Sequence, residues 1–250
     1  MIEIHRTAVL IFAAFCAGGV DAIAGGGGLI TVPALLATGL PPHLAIGTNK
    51  GQAVFGTFAS TFAFWRRGML DRDRIPLAMC FGFLGSCVGA TLLLRIPPEP
   101  LKPIVLGLLA IAGLIVLLRP NTKRTLAQQR TKLLLIPIAL LLGAYDGFLG
   151  PGVGAMLIVS FAYFFGDEML RASGNAKIVN LSSNLAAIFL FSWRGTVLWP
   201  TAVTMAMANM LGATVGAQLA IRIGGRFVRM IVLVMVCAVM VQLAVQLWGK

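Results

Sequence analysis

The sequence predicts an all-α polytopic membrane protein made of two inverted repeats, and three observations support this prediction. Hydrophobic residues make up 58% of the chain and charged residues only 11%, whereas soluble domains carry about 25% charged residues. Residues 75–94 and 230–249 are uncharged stretches of 20 residues each, long enough to cross the roughly 30 Å hydrocarbon core as helices. The chain also repeats itself, and equivalent loops of its two halves differ in charge.

Composition and spacing exclude several classes of protein. A soluble helical protein needs polar helix faces, which the uncharged stretches do not have. The net charge of +12 could suggest nucleic acid, but the basic residues cluster between hydrophobic segments, which is the positive-inside signal. The four cysteines lie in apolar segments without metal-like spacing, and no nucleophile stands with a base. We therefore expect no nucleic-acid partner, no cofactor and no enzymatic activity.

The two halves of the chain match each other. A shift of 127 residues superposes the stretch from Ala45 on the stretch from Ala172, with lysines at Lys50 and Lys177 in the same register. A shift of 125 residues superposes two glycine-rich motifs: "DAIAGGGG" from Asp21 and "DGFLGPGVG" from Asp146. Charged matches inside membrane segments are hard to obtain by chance, so we infer a tandem duplication. It gives a first membrane repeat at 1–118, a basic cytoplasmic linker at 119–132 and a second membrane repeat at 133–250.

Loop charge predicts that the two repeats are inverted. The loops 66–74 and 119–132 are both net positive and are expected in the cytoplasm. Two spans separate them, so the connector 95–102 is expected outside, whereas its equivalent, 222–229, carries three arginines and no acid. Inversion requires an odd number of crossings, and we count five in each half. This makes a multi-pass protein of the cell (inner) membrane with both termini outside. The alternative is eight spans with re-entrant glycine regions.

Glycines interrupt the first hydrophobic segment of each half. Residues 25–28 separate a helix at 7–24 from a second helix at 29–38, which is about 15 Å long and too short to cross. The second half has the run Gly-Pro-Gly-Val-Gly at 150–154. Broken helices at membrane depth expose backbone polar groups and persist only within protein or beside a water-filled cavity. Such breaks at matching positions of two halves are typical of a transporter's binding site.

Helix ends at the two breaks predict an anion site. Each second short helix begins after its glycines, so its free N–H groups and positive dipole end point at the break, and glycine allows close approach of a ligand. Nearby lysines would add charge, and Thr, Asn and Ser side chains would add neutral donors. The candidate substrate-binding residues are Gly25, Gly26, Gly27, Gly28, Thr31, Thr48, Asn49, Lys50, Gly150, Gly152, Gly154, Ser173, Asn175 and Lys177.

Structural interpretations of these residues stay open. The glycines could serve helix packing alone, as we expect of the small-residue motifs "GSCVGA" from Gly85 and "GATVGA" from Gly212. The two lysines could pair with the acids Asp21 and Asp146 and stabilise the fold without binding anything. These acids could also carry a coupling proton. Two alternative functions follow: a proton-coupled or cation carrier centred on the acids, and a non-transporting membrane assembly factor.

One stretch resembles the TauE/SafE family, also called the sulfite exporter or toluene-sulfonate uptake permease family: "GGVDAIAGGGGLITVPALLATGLPPHLAIGTNK" from Gly18, followed by "FWRRG". The resemblance is close over 18–68, and the second-half echo at 143–195 extends it over most of the chain. It implies secondary transport of small sulfur-containing anions, such as sulfite or organosulfonates. The second half departs from the first at Ala176, which meets Asn49, and at Pro151, which replaces a glycine.

Overall fold

The computed structural model describes residues 2–97, 99–100, 132–228, 230–231 and 234. These residues form helices and turns with no strand, which confirms the all-α prediction for this part of the chain. The helices are α1 (Ile2–Ala24), α2 (Gly28–Ala37), α3 (Pro42–Arg66), α4 (Ile75–Arg95), α5 (Leu135–Phe148), α6 (Val153–Phe164), α7 (Met169–Trp193) and α8 (Trp199–Ile223), with a 3₁₀ turn at Lys132–Leu134. Three expected segments lie wholly or mostly outside the described residues: the second of the two spans between the basic loops, at 102–118, nearly all of the linker 119–132, and most of the stretch 230–249.

The described helices are of two kinds. Arg6–Ala24 within α1, α4 and α8 are long and apolar enough to cross a membrane. The helices α3 and α7 are equally long, at 25 residues each, but bury many polar side chains. The helices α2, α5 and α6 are apolar and short, with 10, 14 and 12 residues. The polar helices therefore lie inside a bundle whose remaining helices are apolar.

The predicted helix breaks are present in both halves. In the first half α1 ends at Ala24 and α2 begins at Gly28, and in the second half α5 ends at Phe148 and α6 begins at Val153. Gly25, with a φ of 70°, turns the chain at the first break, a conformation that glycine adopts without strain. The α2 helix then runs back along α1, so the break is the tip of a helical hairpin.

Helices of opposite halves pack against each other. The α1 helix packs along α8, and its repeat equivalent α5 packs along α4. A Cβ added to Gly212 would lie 2.0 Å from the Phe15 carbonyl oxygen, and one added to Gly85 would lie 2.1 Å from the Leu140 carbonyl oxygen. Only glycine permits backbones to approach this closely. The interpretation of "GSCVGA" and "GATVGA" as packing motifs is therefore confirmed.

The contacts define helix directions at the α1–α8 interface. The Asn209 side chain in α8 donates a hydrogen bond to the Ala14 carbonyl oxygen in α1 at 3.1 Å. Further along both helices, Gly216 lies against Gly19. Residue numbers rise together along the interface, so α1 and α8 run in the same direction.

The polar helix α3 lies between α8 and α7. It runs in the same direction as α8, since Gly47 lies against Thr196 and Gly56 lies against Asn209. It runs opposite to α7, its repeat equivalent. At one end of that interface the Thr61 hydroxyl donates to the Lys177 carbonyl oxygen at 3.4 Å, and towards the other end Gly51 lies beside Ile188. This antiparallel pair brings the polar residues of both halves together in the middle of the bundle.

We expect Gly18→Ala in α1 to destabilise the protein, because its Cβ would lie 2.1 Å from the Asn209 carbonyl oxygen. Overpacking of this kind costs about 1–3 kcal/mol. The neighbouring change Gly19→Ala is a matched control, since its Cβ would meet nothing nearer than 3.4 Å. Melting of purified protein in detergent, followed by tryptophan fluorescence, should show a lower midpoint for Gly18→Ala alone. Equal midpoints would contradict the close packing of α1 on α8.

Candidate functional site

The two helix breaks touch each other inside the protein. The Gly25 carbonyl oxygen accepts a hydrogen bond from the Ala155 N–H at 3.1 Å. A Cβ on Gly25 would lie 2.2 Å from the Gly154 carbonyl carbon, and one on Gly28 would lie 3.2 Å from the Pro151 Cα. The backbone contact at Gly25 leaves no room for a side chain. The N-terminal ends of α2 and α6 therefore converge at one place.

A polar cavity of about 30 Å³ lies where these ends converge. This volume is enough for one or a few water-sized groups. Many of the residues predicted from the sequence line it: Asp21, Gly25, Gly27, Gly28, Asn49, Lys50, Asp146, Gly150 and Gly152. Residues of both predicted helix breaks thus meet at one cavity, whose wall also contains residues that the sequence pattern did not identify.

Two ion pairs join the halves crosswise. Lys50 Nζ lies 2.5 Å from Asp146 Oδ1, and both side chains are almost fully buried, with 2% and 3% of their surfaces exposed. Lys177 Nζ lies 2.8 Å from Asp21 Oδ2, with exposures of 1% and 21%. Each lysine therefore pairs with the aspartate of the opposite repeat. Pairing is expected for ions at membrane depth, because an isolated charge there is unfavourable.

The Lys50–Asp146 pair has further polar partners on α7. Lys50 Nζ also donates a hydrogen bond to the Asn184 Oδ1 at 3.0 Å. The Ser183 hydroxyl donates to Asp146 Oδ2. Both members of the pair line the cavity, as does Asn184. This pair is therefore exposed to whatever enters the cavity.

The second ion pair, Lys177–Asp21, lies at the first helix break. Lys177 donates both to the Asp21 carboxylate and to the Asp21 carbonyl oxygen. The second carboxylate oxygen, Oδ1, accepts the Gly27 N–H at 3.3 Å. A Cβ on Gly27 would also lie 2.8 Å from the Ala17 carbonyl oxygen in α1. The Lys177–Asp21 pair thus fixes the hairpin of α1 and α2, and Gly27 serves the packing of that hairpin.

The helix ends at the breaks are less free than the sequence suggested. The Gly27 N–H is bound by the Asp21 carboxylate, and the Ala155 N–H is bound by the Gly25 carbonyl oxygen. The positive dipole ends of α2 and α6 still face the cavity region. Protein groups therefore already bind some of the backbone N–H groups that we expected to bind an anion.

Some predicted residues hold other parts of the fold. Thr48 Oγ1 accepts the Leu198 N–H at 3.0 Å, next to the start of α8. The Asn175 side chain accepts from the Asp71 N–H at 2.8 Å and donates to Asp167 at 2.7 Å. Neither residue lines the cavity. The other predicted residues that are not part of its lining are Gly26, Thr31, Gly154, Ser173 and Lys177.

The sequence interpretation missed several polar side chains of the cavity wall: Gln52, Thr57, Asn180, Asn184 and Asn209. A helical spacing could have found two of them. Thr57 and Asn184 each follow the lysine of their own repeat by seven residues, which is two turns and places them on the lysine's face of the helix. Uncharged polar residues at that spacing inside a membrane helix are the signal that we did not use.

Gln52 has an unusual hydrogen-bonding position. Its Oε1 is buried and has no hydrogen-bond partner among the described residues. Its amide nitrogen and the Thr31 hydroxyl both donate to Asn49 Oδ1, at 3.1 and 2.5 Å, while the same hydroxyl lies 3.1 Å from the Gly27 carbonyl oxygen. A hydroxyl has one hydrogen, so it cannot serve both acceptors fully.

Rotating the Asn49 and Gln52 amides by 180° resolves this conflict. Asn49 then donates to both Thr31 and Gln52, and the Thr31 hydrogen goes to the Gly27 carbonyl oxygen. Oε1 of Gln52 gains a partner, and its amide nitrogen takes the buried position that has no partner among the described residues. In this arrangement the unpartnered polar group of Gln52, a residue of the cavity wall, is a donor, which is the kind of group that an anion requires.

Comparison with known proteins agrees with the resemblance seen in the sequence. A family model described as "Sulfite exporter TauE/SafE" matches residues 10–243. The chain is 37% identical over 236 residues to a probable membrane transporter protein of Haemophilus influenzae, with 94% of this chain and 92% of that protein covered. It is 37% identical over 236 residues to the probable membrane transporter protein YfcA of Escherichia coli, with coverages of 93% and 87%.

A third relative is the probable membrane transporter protein ORF9 of Sinorhizobium sp., which is 35% identical over 242 residues, with coverages of 96% and 92%. No solved structure matches the chain. The relatives are named as transporters and not as enzymes, in agreement with the interpretation of the sequence.

We expect Lys50→Met to destabilise the protein, because it leaves the Asp146 carboxylate buried without a partner. Loss of one partner of a buried pair costs about 3–5 kcal/mol. Adding Asp146→Asn should restore much of the stability, whereas adding Asp21→Asn should lower it further by freeing Lys177. The midpoints of thermal unfolding of these three proteins test the crossed pairing. Rescue by Asp21→Asn in place of Asp146→Asn would show that the lysines pair within their own repeats.

Proposed function

The chain belongs to the sulfite exporter TauE/SafE family and is a membrane transporter, and we propose that it is a secondary transporter of a small anion. The anion binds near the middle of the bilayer, in the cavity where the two helix breaks meet. Sulfite or an organosulfonate is the proposed substrate. The family description supports the sulfur, and the chemistry of the cavity supports the negative charge.

The observation that carries this proposal is the convergence of positive groups on one polar cavity. Lys50 Nζ reaches the cavity wall, and two helix N-termini, each equivalent to roughly half a positive charge, converge there. The Asn180 amide and, in the rotated arrangement, the Gln52 amide add neutral donors, whereas the Asn184 amide nitrogen already donates to Thr57 and Asn180. A sulfite or sulfonate group has three oxygens that accept hydrogen bonds, which suits several donors arriving from different helices.

The charge balance argues against the alternative of a cation carrier. Such a site needs acids whose negative charge is left for the cation. Asp146 is instead paired with Lys50, and Asp21 with Lys177. The lysines already neutralise both acids, so the cavity offers no excess negative charge. A non-transporting assembly factor has no support in the names of the relatives.

An inverted arrangement of the two repeats is part of the proposal. The antiparallel packing of α3 on α7, which are equivalent by the repeat, supports it. Both α1 and α3 run in the direction of α8, so α2 returns the chain between them, as three passes before Arg67 require. With five segments in each half, both termini lie outside the cell (inner) membrane. The basic loop at 66–74 is then cytoplasmic.

The size of the cavity bears on the mechanism. About 30 Å³ is enough for one or a few water-sized groups. The Lys50–Asp146 pair and the Gly25–Gly154 contact lie where the two halves meet, so loading of a larger anion involves movement of the halves at this contact. Rocking of one repeat against the other around a central site is the usual form of alternating access in inverted-repeat transporters.

A panel of anions tests the substrate class. We expect sulfite or methanesulfonate to raise the melting temperature of purified protein, and acetate and chloride to have little effect. A ligand at a hundred times its Kd stabilises by about 2.7 kcal/mol, which a melting curve resolves. Calorimetry then gives the affinity. If none of sulfite, methanesulfonate, benzenesulfonate and sulfate stabilises the protein, the proposed anion site is wrong.

We expect Gln52→Glu to weaken binding of the panel anions by more than about tenfold, because like charges brought together cost several kcal/mol. The change keeps the shape of the side chain and replaces its donors by acceptors. Gln218→Glu on α8 is the matched control, since Gln218 is exposed and does not line this cavity. Binding calorimetry on both variants measures the effect. Equal affinities in both would exclude Gln52 from the site.

A further inference from the structure

The charged side chains at the cavity and their ion-pair partners sum to a net charge of zero. The inference drawn from this balance rests on the proposed function. Lys50 is matched by Asp146, and Lys177 by Asp21. Asp21, Lys50 and Asp146 are the charged side chains that line the cavity among the described residues, and Lys177 neutralises Asp21 from outside the lining. An anion that enters meets hydrogen-bond donors and helix N-termini, but no side-chain charge is left over to balance its negative charge, and an unbalanced buried charge is unfavourable.

We propose that one proton enters with each negative charge of the substrate and is held on the carboxyl group of Asp146. The anion takes the place of the Asp146 carboxylate on Lys50 Nζ, whose other hydrogen bond to Asn184 can remain. Asp146 loses its cation in this exchange. A proton from water on the loading side forms an O–H bond with the carboxylate and is lost again on the release side, so the net charge of the cavity stays at zero.

Ser183 suits this proton exchange. Its hydroxyl donates to Asp146 Oδ2, and the Asn180 carbonyl oxygen lies 3.0 Å from the same hydroxyl oxygen. While Asp146 is ionised, the hydroxyl hydrogen points to the carboxylate. When Oδ2 carries a proton, that O–H donates to Ser183 and the Ser183 hydrogen turns to the Asn180 carbonyl oxygen. Both forms of the carboxyl group are hydrogen-bonded without movement of the backbone.

Asp21 has no such arrangement. The repeat position equivalent to Ser183 is Gly56, which has no hydroxyl. One oxygen of Asp21 accepts from Lys177 and the other from the Gly27 N–H, and neither of these donors can turn round and accept a hydrogen bond from a protonated carboxyl group, as a hydroxyl can. The geometry therefore favours Asp146 as the group that changes its protonation.

The other ionisable groups around Asp146 are few in the part of the chain that the structure describes. Lys50 faces it from α3, and Asp21 lies across the cavity with Lys177 of α7 as its partner. On its own helix, the Tyr145 hydroxyl donates to the Pro151 carbonyl oxygen at 2.9 Å. The helices α4, α6 and α8 contribute no titratable side chain to the cavity wall.

Proton uptake on binding tests the inference. Wild-type protein in weakly buffered detergent solution is mixed with methanesulfonate, which stays fully ionised and releases no proton of its own. We expect uptake of about one proton for each anion bound, and an affinity that falls about tenfold for each pH unit where the free carboxyl group is ionised, as linkage requires. Binding without uptake overturns this inference and leaves the proposed function intact. Absence of binding by methanesulfonate and by every other panel anion overturns both.

Variants locate the proton. Asp146→Asn should bind methanesulfonate without proton uptake and without pH dependence, and the anion should stabilise it by pairing with Lys50. Ser183→Ala removes only a hydroxyl and should keep the fold, yet it should reduce the pH dependence of binding. Glu99→Gln, the same loss of one acid at an exposed connector, is the matched control and should behave as wild type. Proton uptake that persists in Asp146→Asn would overturn the assignment to Asp146.

Discussion

The two crossed ion pairs are the interaction on which the rest of the structure depends. Lys50 and Lys177 lie on the central polar helices, whereas Asp146 and Asp21 lie near the ends of the helices that break. Each pair therefore ties the broken hairpin of one half to the central helix of the other. Without them four charges would be buried at membrane depth without partners. Because each ion pair joins a lysine of one half to an aspartate of the other, the two halves form one structural unit.

The crossed pairs also bring the breaks together. Gly25 and Gly154 meet backbone to backbone, which is how irregular chain at membrane depth is kept away from lipid. The glycines therefore serve packing and the cavity at once. Gly27 lies against α1 and also lines the cavity, so the packing and binding interpretations of the sequence do not exclude each other.

Much of this arrangement was predictable from the sequence, and the failures have physical causes. Hydropathy gave the helical class, and the glycine runs gave the breaks, because both are local properties. The register of Lys50 with Lys177 indicated a duplication. Which lysine pairs with which aspartate depends on which helices touch in space, and no local sequence pattern contains that information. Thr48 and Asn175 have the right chemistry for a site but serve helix ends, since a polar side chain's use depends on its neighbours in space.

The inequality of the two halves has an evolutionary consequence. Ser183 and Asn180 stand where the first repeat has Gly56 and Ala53, and Gln52 stands where the second repeat has Val179. A dimer of two identical half-length chains in opposite orientations would carry the same side chains at both positions. In a single chain each half can change separately. Symmetry breaking of this kind lets one half become a rigid anchor while the other acquires the moving parts, a division of labour closed to a homodimer.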